Sequence, residues 1–453
     1  MEMGDTAPVT AEVQRPESTA PAVNKRGRAG DVFRALRHRN FQLFFSGQFI
    51  SLIGTWMQMV AQAWLIYRLT GSSLLLGTLG FVGQFPIFLL SPLAGLVADR
   101  WPRRYVIMAT QASSMVLAGS LAALTLSGVI RVWEVLVLET MLGVVNAFDV
   151  PARQAFLIEM VGREDLLNAI ALNSSMFNGA RVAGPAIAGI LVALLGEGWC
   201  FFVNAVSYIA VLAGLKLMRI ERVPSTEPHA SPMEKLREGY RFVRHTAPIR
   251  TLLLLVALVS LVALPFTVLM PIFADRILHG GASAYGLLMG AIGVGAVIGA
   301  MTLATRRELR GLGSMVAYAS MGFGASLILF AFSRWFWVSL VILVPAGVAM
   351  MTEFAATNTL IQAMVPDRLR GRAMSLYAMM FLGMAPLGSL AAGAIATRIG
   401  APLTVGIGGT ACLIGGAVFA RAWPAMRSSA RELLAAQGMM YSGEPPDPSA
   451  PPS

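Results

Sequence analysis

The sequence predicts an all-α polytopic membrane protein with twelve transmembrane helices in two pseudo-symmetric six-helix bundles. Three observations lead there. Hydrophobic residues make up 56% and charged residues 13% of the 453 residues, a balance that leaves a soluble chain of this length without enough polar surface. Apolar segments of about 20 to 28 residues, each able to cross a ~30 Å hydrocarbon core, recur twelve times between charged punctuation. Sliding the sequence along itself by 204 positions lays Gly143 on Gly347, Asp149 on Glu353, Leu172 on Leu376, and Gly179, Gly184 and Gly189 on Gly383, Gly388 and Gly393. Those four glycine matches compare with roughly half of one expected by chance, and a repeat of about 200 apolar residues is the scale on which transporters repeat.

The elements follow in order. Residues 1–40 are polar and then basic, through Lys25, Arg26, Arg28, Arg34, Arg37 and Arg39. No short apolar core with a cleavage site follows, so this stretch reads as an uncleaved, disordered cytoplasmic tail. Spans are expected at about 41–67, 74–98, 105–127, 132–158, 167–194 and 199–218, then at about 250–273, 283–304, 312–333, 335–362, 372–397 and 400–420. The N-terminal bundle thus takes residues 41–218 and the C-terminal bundle 250–420. Between them lies a cytoplasmic linker, 219–249, and after them a cytoplasmic tail, 421–453, whose end beyond Glu444 is Pro-rich. Within the linker, MEKLREGYRFVRH from Met233 spaces Leu236, Tyr240 and Val243 as an amphipathic helix lying on the membrane face. A solvated connector is the plainer alternative. With the N-terminus inside, the outer loops hold only Arg68, Arg131, Arg276, Arg334 and Arg398 of the 35 Lys and Arg residues. This asymmetry places both termini in the cytoplasm.

Between the second and third spans stands GLVADRWPRR, Gly95 to Arg104. Gly95 lets a neighbouring helix approach, Asp99 can face a helix N-terminus, and Arg100, Arg103 and Arg104 supply partners at the membrane surface. Here the chain resembles the major facilitator superfamily, whose signature in this loop has the form G-x-x-x-D-R-x-G-R-R; Pro102 replaces the second glycine. The resemblance implies that Asp99 and Arg103 belong to a cytoplasmic latch holding one access state. The corresponding loop of the second half keeps Arg306 and Arg307 but has Leu303 where Asp99 falls, so the latch would be asymmetric. On the fifth span, GARVAGPAIAG places Gly179, Gly184, Pro185 and Gly189 for tight packing and bending. That pattern resembles the Gly-Pro motif of superfamily antiporters.

An ionised group in the hydrocarbon layer costs at least ~3 kcal/mol unless paired or hydrated. Asp149 lies deep in the fourth span, Arg153 one turn further on, and Arg181 at comparable depth on the fifth. These three can neutralise one another; with Asp99, Arg100, Arg103 and Arg104 they form a candidate gate network. Glu353 is the counterpart of Asp149, yet Thr357 and Ala385 stand where the two arginines would be. A desolvated carboxylate without a cation favours its protonated form. Glu353 is therefore the candidate to take up and release a coupling proton, the alternative being a permanently protonated glutamate bonded to a neighbouring helix. On the first span Gln48, Ser51, Thr55, Gln58 and Gln62 form one polar stripe, expected to face a substrate cavity. Helix–helix hydrogen bonding by the same side chains is the alternative.

Enzyme signatures are thin: no GxxxxGK[ST] phosphate loop and no HExxH appear, and Cys200 and Cys412 sit singly in apolar runs without metal-ligand spacing. Neither an enzyme nor a metal protein is expected. VPARQAFLIEMVGREDLLNAIALN from Val150, NGARVAGP and EGYRFVRH resemble the exporter-like branch that includes enterobactin exporters and macrolide-efflux proteins, over about residues 31 to 425. The resemblance implies a proton-coupled inner-membrane exporter of siderophore-like or amphipathic drug-like small molecules. It would work by alternating access, with the proton gradient rather than a cofactor as energy source. No nucleic-acid partner is expected, and a monomer in the lipid bilayer is. A metabolite importer and a non-transporting membrane sensor or assembly partner are the alternatives.

Overall fold

In the computed structural model, which describes residues 33–219, 240–306 and 308–437, twelve helices are long and apolar enough to cross a membrane. They are α1 Arg39–Thr70, α2 Ser73–Arg100, α3 Arg103–Leu126, α4 Val132–Val161, α5 Leu166–Leu195 and α6 Glu197–Leu217, then a seventh span over Ala247–Ile277 that begins with α7 Ala247–Val262, followed by α8 Gly281–Ala304, α9 Leu312–Phe332, α10 Phe336–Met364, α11 Asp367–Ile399 and α12 Ala401–Ala436. No strand occurs among the described residues. Lipid satisfies no backbone N–H or C=O, so a spanning segment must bond internally, and only the helix does so within one segment.

Three boundaries differ from the expectation. The seventh span is not one continuous helix. After α7 the chain makes a 3₁₀ turn at Leu264–Thr267, a short helical turn at Met270–Ile272 and a π turn at Phe273–Ile277, because Pro265 and Pro271 cannot donate to the helical ladder. Helix α12 runs on to Ala436, well past residue 420. Of the tail drawn at 1–40, residues 33–40 are ordered: Arg34–Arg37 form a 3₁₀ turn, Ala35 N–H donates to Asn168 Oδ1 at 2.8 Å, and α1 begins at Arg39. The linker helix is described only from Tyr240, where Tyr240–His245 is helical with Val243 buried and Tyr240 exposed. Leu236, the remaining tail residues 1–32, Arg307 and the Pro-rich end lie outside the described residues.

Helices α1–α6 pack on one another and α7–α12 on one another, and the two groups meet chiefly through α2 on α11 and α5 on α8. Glycine permits the closest crossings. A Cβ at Gly184 would lie 3.0 Å from the Ile53 carbonyl oxygen on α1; at its counterpart Gly388 it would lie 2.8 Å from the Leu261 carbonyl carbon on α7. The repeated glycines therefore make the same crossing in each half, α5 on α1 and α11 on α7.

Candidate functional site: a cleft between the two helix groups

The two groups are joined at one end and parted at the other. Near Gly71 and Gly400, a Cβ at Gly77 of α2 would sit 2.9 Å from Gly393 Cα of α11, and one at Gly189 of α5 would sit 3.0 Å from Gly286 Cα of α8. Towards the end that carries the chain termini, these contacts run out. Phe88 of α2 still touches Gly383 of α11, but nothing lies within 4 Å of a Cβ placed at Gly95. On α5 the glycine contacts with α8 reach Arg181–Val182 against Gly293; towards the termini from there Phe177, Ser174 and Leu167 are exposed. The result is a cleft that opens toward the termini and narrows at the level of Arg181.

At that apex, the Arg181 guanidinium carbon lies 5.8 Å from the centroid of the Trp56 ring, and Phe177 meets the same ring edge-on at 5.6 Å. Helix α1 supplies Trp56 one turn from Ile53, where Gly184 lets α5 lie close. Contact with an aromatic face contributes about 0.5–2 kcal/mol, and an arginine at mid-membrane costs about 3 kcal/mol or more. The ring therefore offsets only part of the cost.

The joined end carries polar contacts between the halves. Tyr67, in the last turn of α1, donates its hydroxyl to Asp275 Oδ2 at 2.6 Å. Arg276 caps the same ring at 5.7 Å and donates to the Gly71 carbonyl at 3.3 Å. Trp64 of α1 stacks on Tyr285 of α8 with centroids 6.2 Å apart. Asp275 and Arg276 occupy the π turn after α7; that irregular turn presents them to α1. Gly71 ends α1 at φ 62°, in the left-handed region that glycine adopts without strain.

Residues 31–439 match the sequence profile of the transmembrane secretion effector family, a branch of the major facilitator superfamily. The chain belongs to that family. It is similar to the staphyloferrin A transporter of Staphylococcus aureus, at 26% identity over 77% of this chain and 87% of that one. It is also similar to the multidrug efflux pump Tap of Mycolicibacterium fortuitum, at 26% over 77% and 87%, and to the enterobactin exporter EntS of Shigella boydii, at 26% over 82% and 89%. Among solved structures, the nucleoside transporter NupG superposes with TM-score 0.65 at 14% identity, over 86% of this chain and 99% of that one. A bacterial homologue of the lysosomal transporter Spinster does so with TM-score 0.61 at 16%, over 91% and 99%; both show the fold. The protein is a multi-pass membrane transporter of small molecules and not an enzyme.

In this transporter the expected gate network separates into pieces. Asp149 is buried; its Oδ1 accepts from Thr110 Oγ1 at 2.8 Å and Gln111 Nε2 at 2.9 Å of α3, and its Oδ2 pairs with Arg153 at 2.8 Å. Arg181 is not part of that cluster: its partner is Trp56. Arg103 pairs with Glu159 at 2.8 Å and donates to the Ala155 carbonyl at 3.1 Å, both on α4 of its own half. Arg104 donates to the Lys216 carbonyl at 3.1 Å, and Arg100 is exposed. Asp99 falls in the last turn of α2, its side chain outside the described part of the structure. The expected network thus divides into separate contacts, because its residues stand on α2, α3, α4 and α5 and each helix turns its side chains by about a hundred degrees per residue.

The polar stripe corrects a second expectation. Gln48, Ser51, Gln58 and Gln62 are buried inside the first helix group rather than lining the cleft. Gln58 Oε1 accepts from Asn204 Nδ2 of α6 at 2.7 Å, Thr55 donates back to the Ser51 carbonyl at 2.9 Å, and Gln62 lies beside Glu139 of α4. Gln58 thus binds α1 to α6, the alternative reading of the stripe's spacing, whereas the Thr55 bond stays within α1 and Gln48 Oε1 and Gln62 Nε2 have no partner among the described residues. Glu353 is fully buried, and among the described residues neither carboxyl oxygen has a hydrogen-bond partner. Its helix neighbour Thr357 is likewise buried with an unpartnered hydroxyl. Gly179, Gly184, Pro185 and Gly189 all lie within α5, Pro185 inside the helix.

Sequence reading missed five participants. Glu139 is an embedded carboxyl on α4, in contact with Gly83 of α2; Asn146 and Arg153 follow it at seven-residue steps, so the three share one face of that helix. Its acidity was the available signal. Trp56, Phe177 and the Tyr67–Asp275 pair carried none, since an aromatic residue in a span reads the same whether it faces lipid, protein or cleft.

Proposed function

We propose that this transporter is a proton-driven exporter of siderophore-like or amphipathic drug-like small molecules, set in a bacterial inner membrane with both termini in the cytoplasm. The observation that carries the reading is the cleft, joined at the Tyr67–Asp275 end, open at the end bearing the termini, and closed over by Arg181 on Trp56. With the termini cytoplasmic, this is the state that loads substrate from inside. Rocking of the two halves about the α2–α11 and α5–α8 contacts would then break the Tyr67–Asp275 bond and release substrate outward. The relatives' names, a staphyloferrin A transporter, an enterobactin exporter and a multidrug efflux pump, support the direction and the substrate class. Glu353 is the assigned proton site: buried and unpartnered, it gains a hydrogen-bond donor when protonated and loses a buried charge. Asp149 is satisfied by Thr110, Gln111 and Arg153 and serves to anchor α4 on α3.

Proteoliposomes containing a pH indicator, given an imposed proton gradient and a panel of siderophores and amphipathic drugs, test this reading. Substrate-dependent proton flux is expected in the wild type and its loss in folded Glu353→Gln. Equal flux in both removes Glu353 from the coupling; substrate movement without proton flux removes the proton.

A further inference from the structure

Resting on the exporter reading, we infer that the Arg181–Trp56–Phe177 cluster is the substrate subsite, and that it takes a small organic anion with a flat, conjugated face. The charges near the cleft decide its sign. Asp149 and Arg153 compensate each other at 2.8 Å. Arg103 is paired with Glu159 at 2.8 Å. Arg181 has an aromatic ring and no carboxylate against it among the described residues. At this depth an uncompensated cation calls for an anion, and the backbone of Arg181, packed on Gly293 of α8, with exposed Phe177 one turn nearer the termini, puts it at the closed top of the path that a ligand entering from the open end must follow. Trp56 and the 46%-exposed Phe177, edge to face at 5.6 Å, add an aromatic corner beside the guanidinium. A guanidinium recognises carboxylate, phenolate and catecholate oxygens in its plane, and aromatic rings recognise a planar body. A hydrophobic cation would meet repulsion from Arg181.

The far end of the same path repeats the sign. An outer recess of about 680 Å³, between the end of α1, the π turn after α7 and the start of α12, is lined by Arg276, His279 and Arg334 together with Ser72, Ser73 and Thr397, and holds no carboxylate among its lining residues. An anion leaving Arg181 would therefore meet positive charge again on its way out. The second half offers no equivalent subsite. At the positions matching Trp56 and Arg181 it has Ser260 and Ala385, so the substrate's anionic end is held by the N-terminal half alone.

A charge-matched series tests the assignment on the purified full chain by isothermal titration calorimetry: 1-naphthoate, 1-naphthamide and 1-naphthylmethylammonium share a ring and differ in charge. Naphthoate is expected to bind at least about tenfold more tightly than the amide, and the ammonium more weakly than either. Arg181→Gln should bring naphthoate and naphthamide within about twofold, and Arg181→Lys, a point charge without the fork, should keep part of the preference. Thermal melting and gel filtration check that the variants fold. If Arg181→Gln fails to fold, the wild-type ranking and its weakening by added salt still decide. Equal affinity for the three probes, or a naphthoate preference that survives in folded Arg181→Gln, overturns the assignment. Energised proteoliposomes separate the two claims. Preferential export of the ammonium keeps the exporter and overturns the anion site, whereas Arg181-dependent naphthoate binding without movement keeps the anion site and sinks the exporter.

Discussion

Replacing Tyr67 by Phe removes a single oxygen from the joined end of the molecule. The ring's contacts remain available: Trp64 at 5.5 Å between centroids and the Arg276 guanidinium at 5.7 Å. Only the 2.6 Å hydrogen bond to Asp275 is lost. A bond to a charged acceptor contributes about 1.5–3 kcal/mol. Asp275 is half-buried and regains some water, so the lower figure applies, about 1.5 kcal/mol. The bond joins α1 of one half to the π turn of the other and is made only while that end is joined. The whole loss therefore falls on the joined state, and the ratio of joined to parted molecules should fall about tenfold. Spin labels at Ser127→Cys on the end of α3 and Arg334→Cys before α10, in a chain whose buried Cys200 and Cys412 have been replaced, report the separation of the two halves by pulsed electron resonance. The long-distance population should rise about tenfold from its wild-type value in Tyr67→Phe, and Asp275→Asn should move it in the same direction. An unchanged distance distribution in Tyr67→Phe would refute the view that this bond holds the end together.

Two further outcomes are expected. Gly189→Val places a branched side chain where a Cβ already lies 3.0 Å from Gly286 Cα and 3.2 Å from the carbonyl oxygens of Ala282 and Ser283. Backbone atoms cannot rotate away, so α5 and α8 must separate by about 0.5 Å at a cost of about 1–3 kcal/mol. The same spin pair should show the parted state favoured, and Gly179→Val, whose Cβ meets only the Phe49 ring edge at 3.5 Å, should shift it less. At the other end, the His38 imidazole at 2.7 Å, joined by Arg34 at 2.6 Å, holds the Asp165 carboxyl below its ordinary range. A depressed carboxylate contributes stability at pH above its unfolded value and loses it as pH falls through the folded one. The protection factor of the Arg34–His38 turn amides, which removes the intrinsic pH dependence of exchange, should therefore be high at neutral pH and fall only as pH drops below the usual carboxylate range. Asp165→Asn should show low protection throughout, and a pH-independent wild-type protection factor would contradict the pairing.

How much of this was legible beforehand varies with the kind of question. The twelve spans could be read to within a few residues at most ends, and the 204-residue offset correctly paired Gly184 with Gly388. Both follow from local requirements: crossing lipid takes about 20 apolar residues, and a close helix crossing takes a missing side chain. The break at Pro265 and Pro271 was visible as two prolines that cannot donate to the helical ladder, but the packing of Gly388 of α11 on Leu261 and Pro265 was not. For the functional residues the reading was uneven. The isolation of Glu353 from cations followed from Thr357 and Ala385, and Arg181 was recognised as an embedded charge. Its assignment to Asp149 failed because depth along two helices says nothing about which way each turns.

By itself the sequence determined that the chain spans a membrane twelve times, that it is a doubled six-helix unit, and that a handful of charges lie where charge is costly. Those properties belong to single segments or to pairs related by a fixed offset. Tertiary structure alone decided that Gln58 of the polar stripe of α1 meets Asn204, that Arg181 rests on Trp56 rather than on Asp149, and that Tyr67 reaches Asp275 across 208 positions of chain. The physical reason is the solvent. In water a helix shows its buried face by hydrophobic contrast; in lipid both faces are apolar, so composition marks depth but not direction. Only the packing of the helices assigns each face to lipid, to a neighbour or to the substrate path.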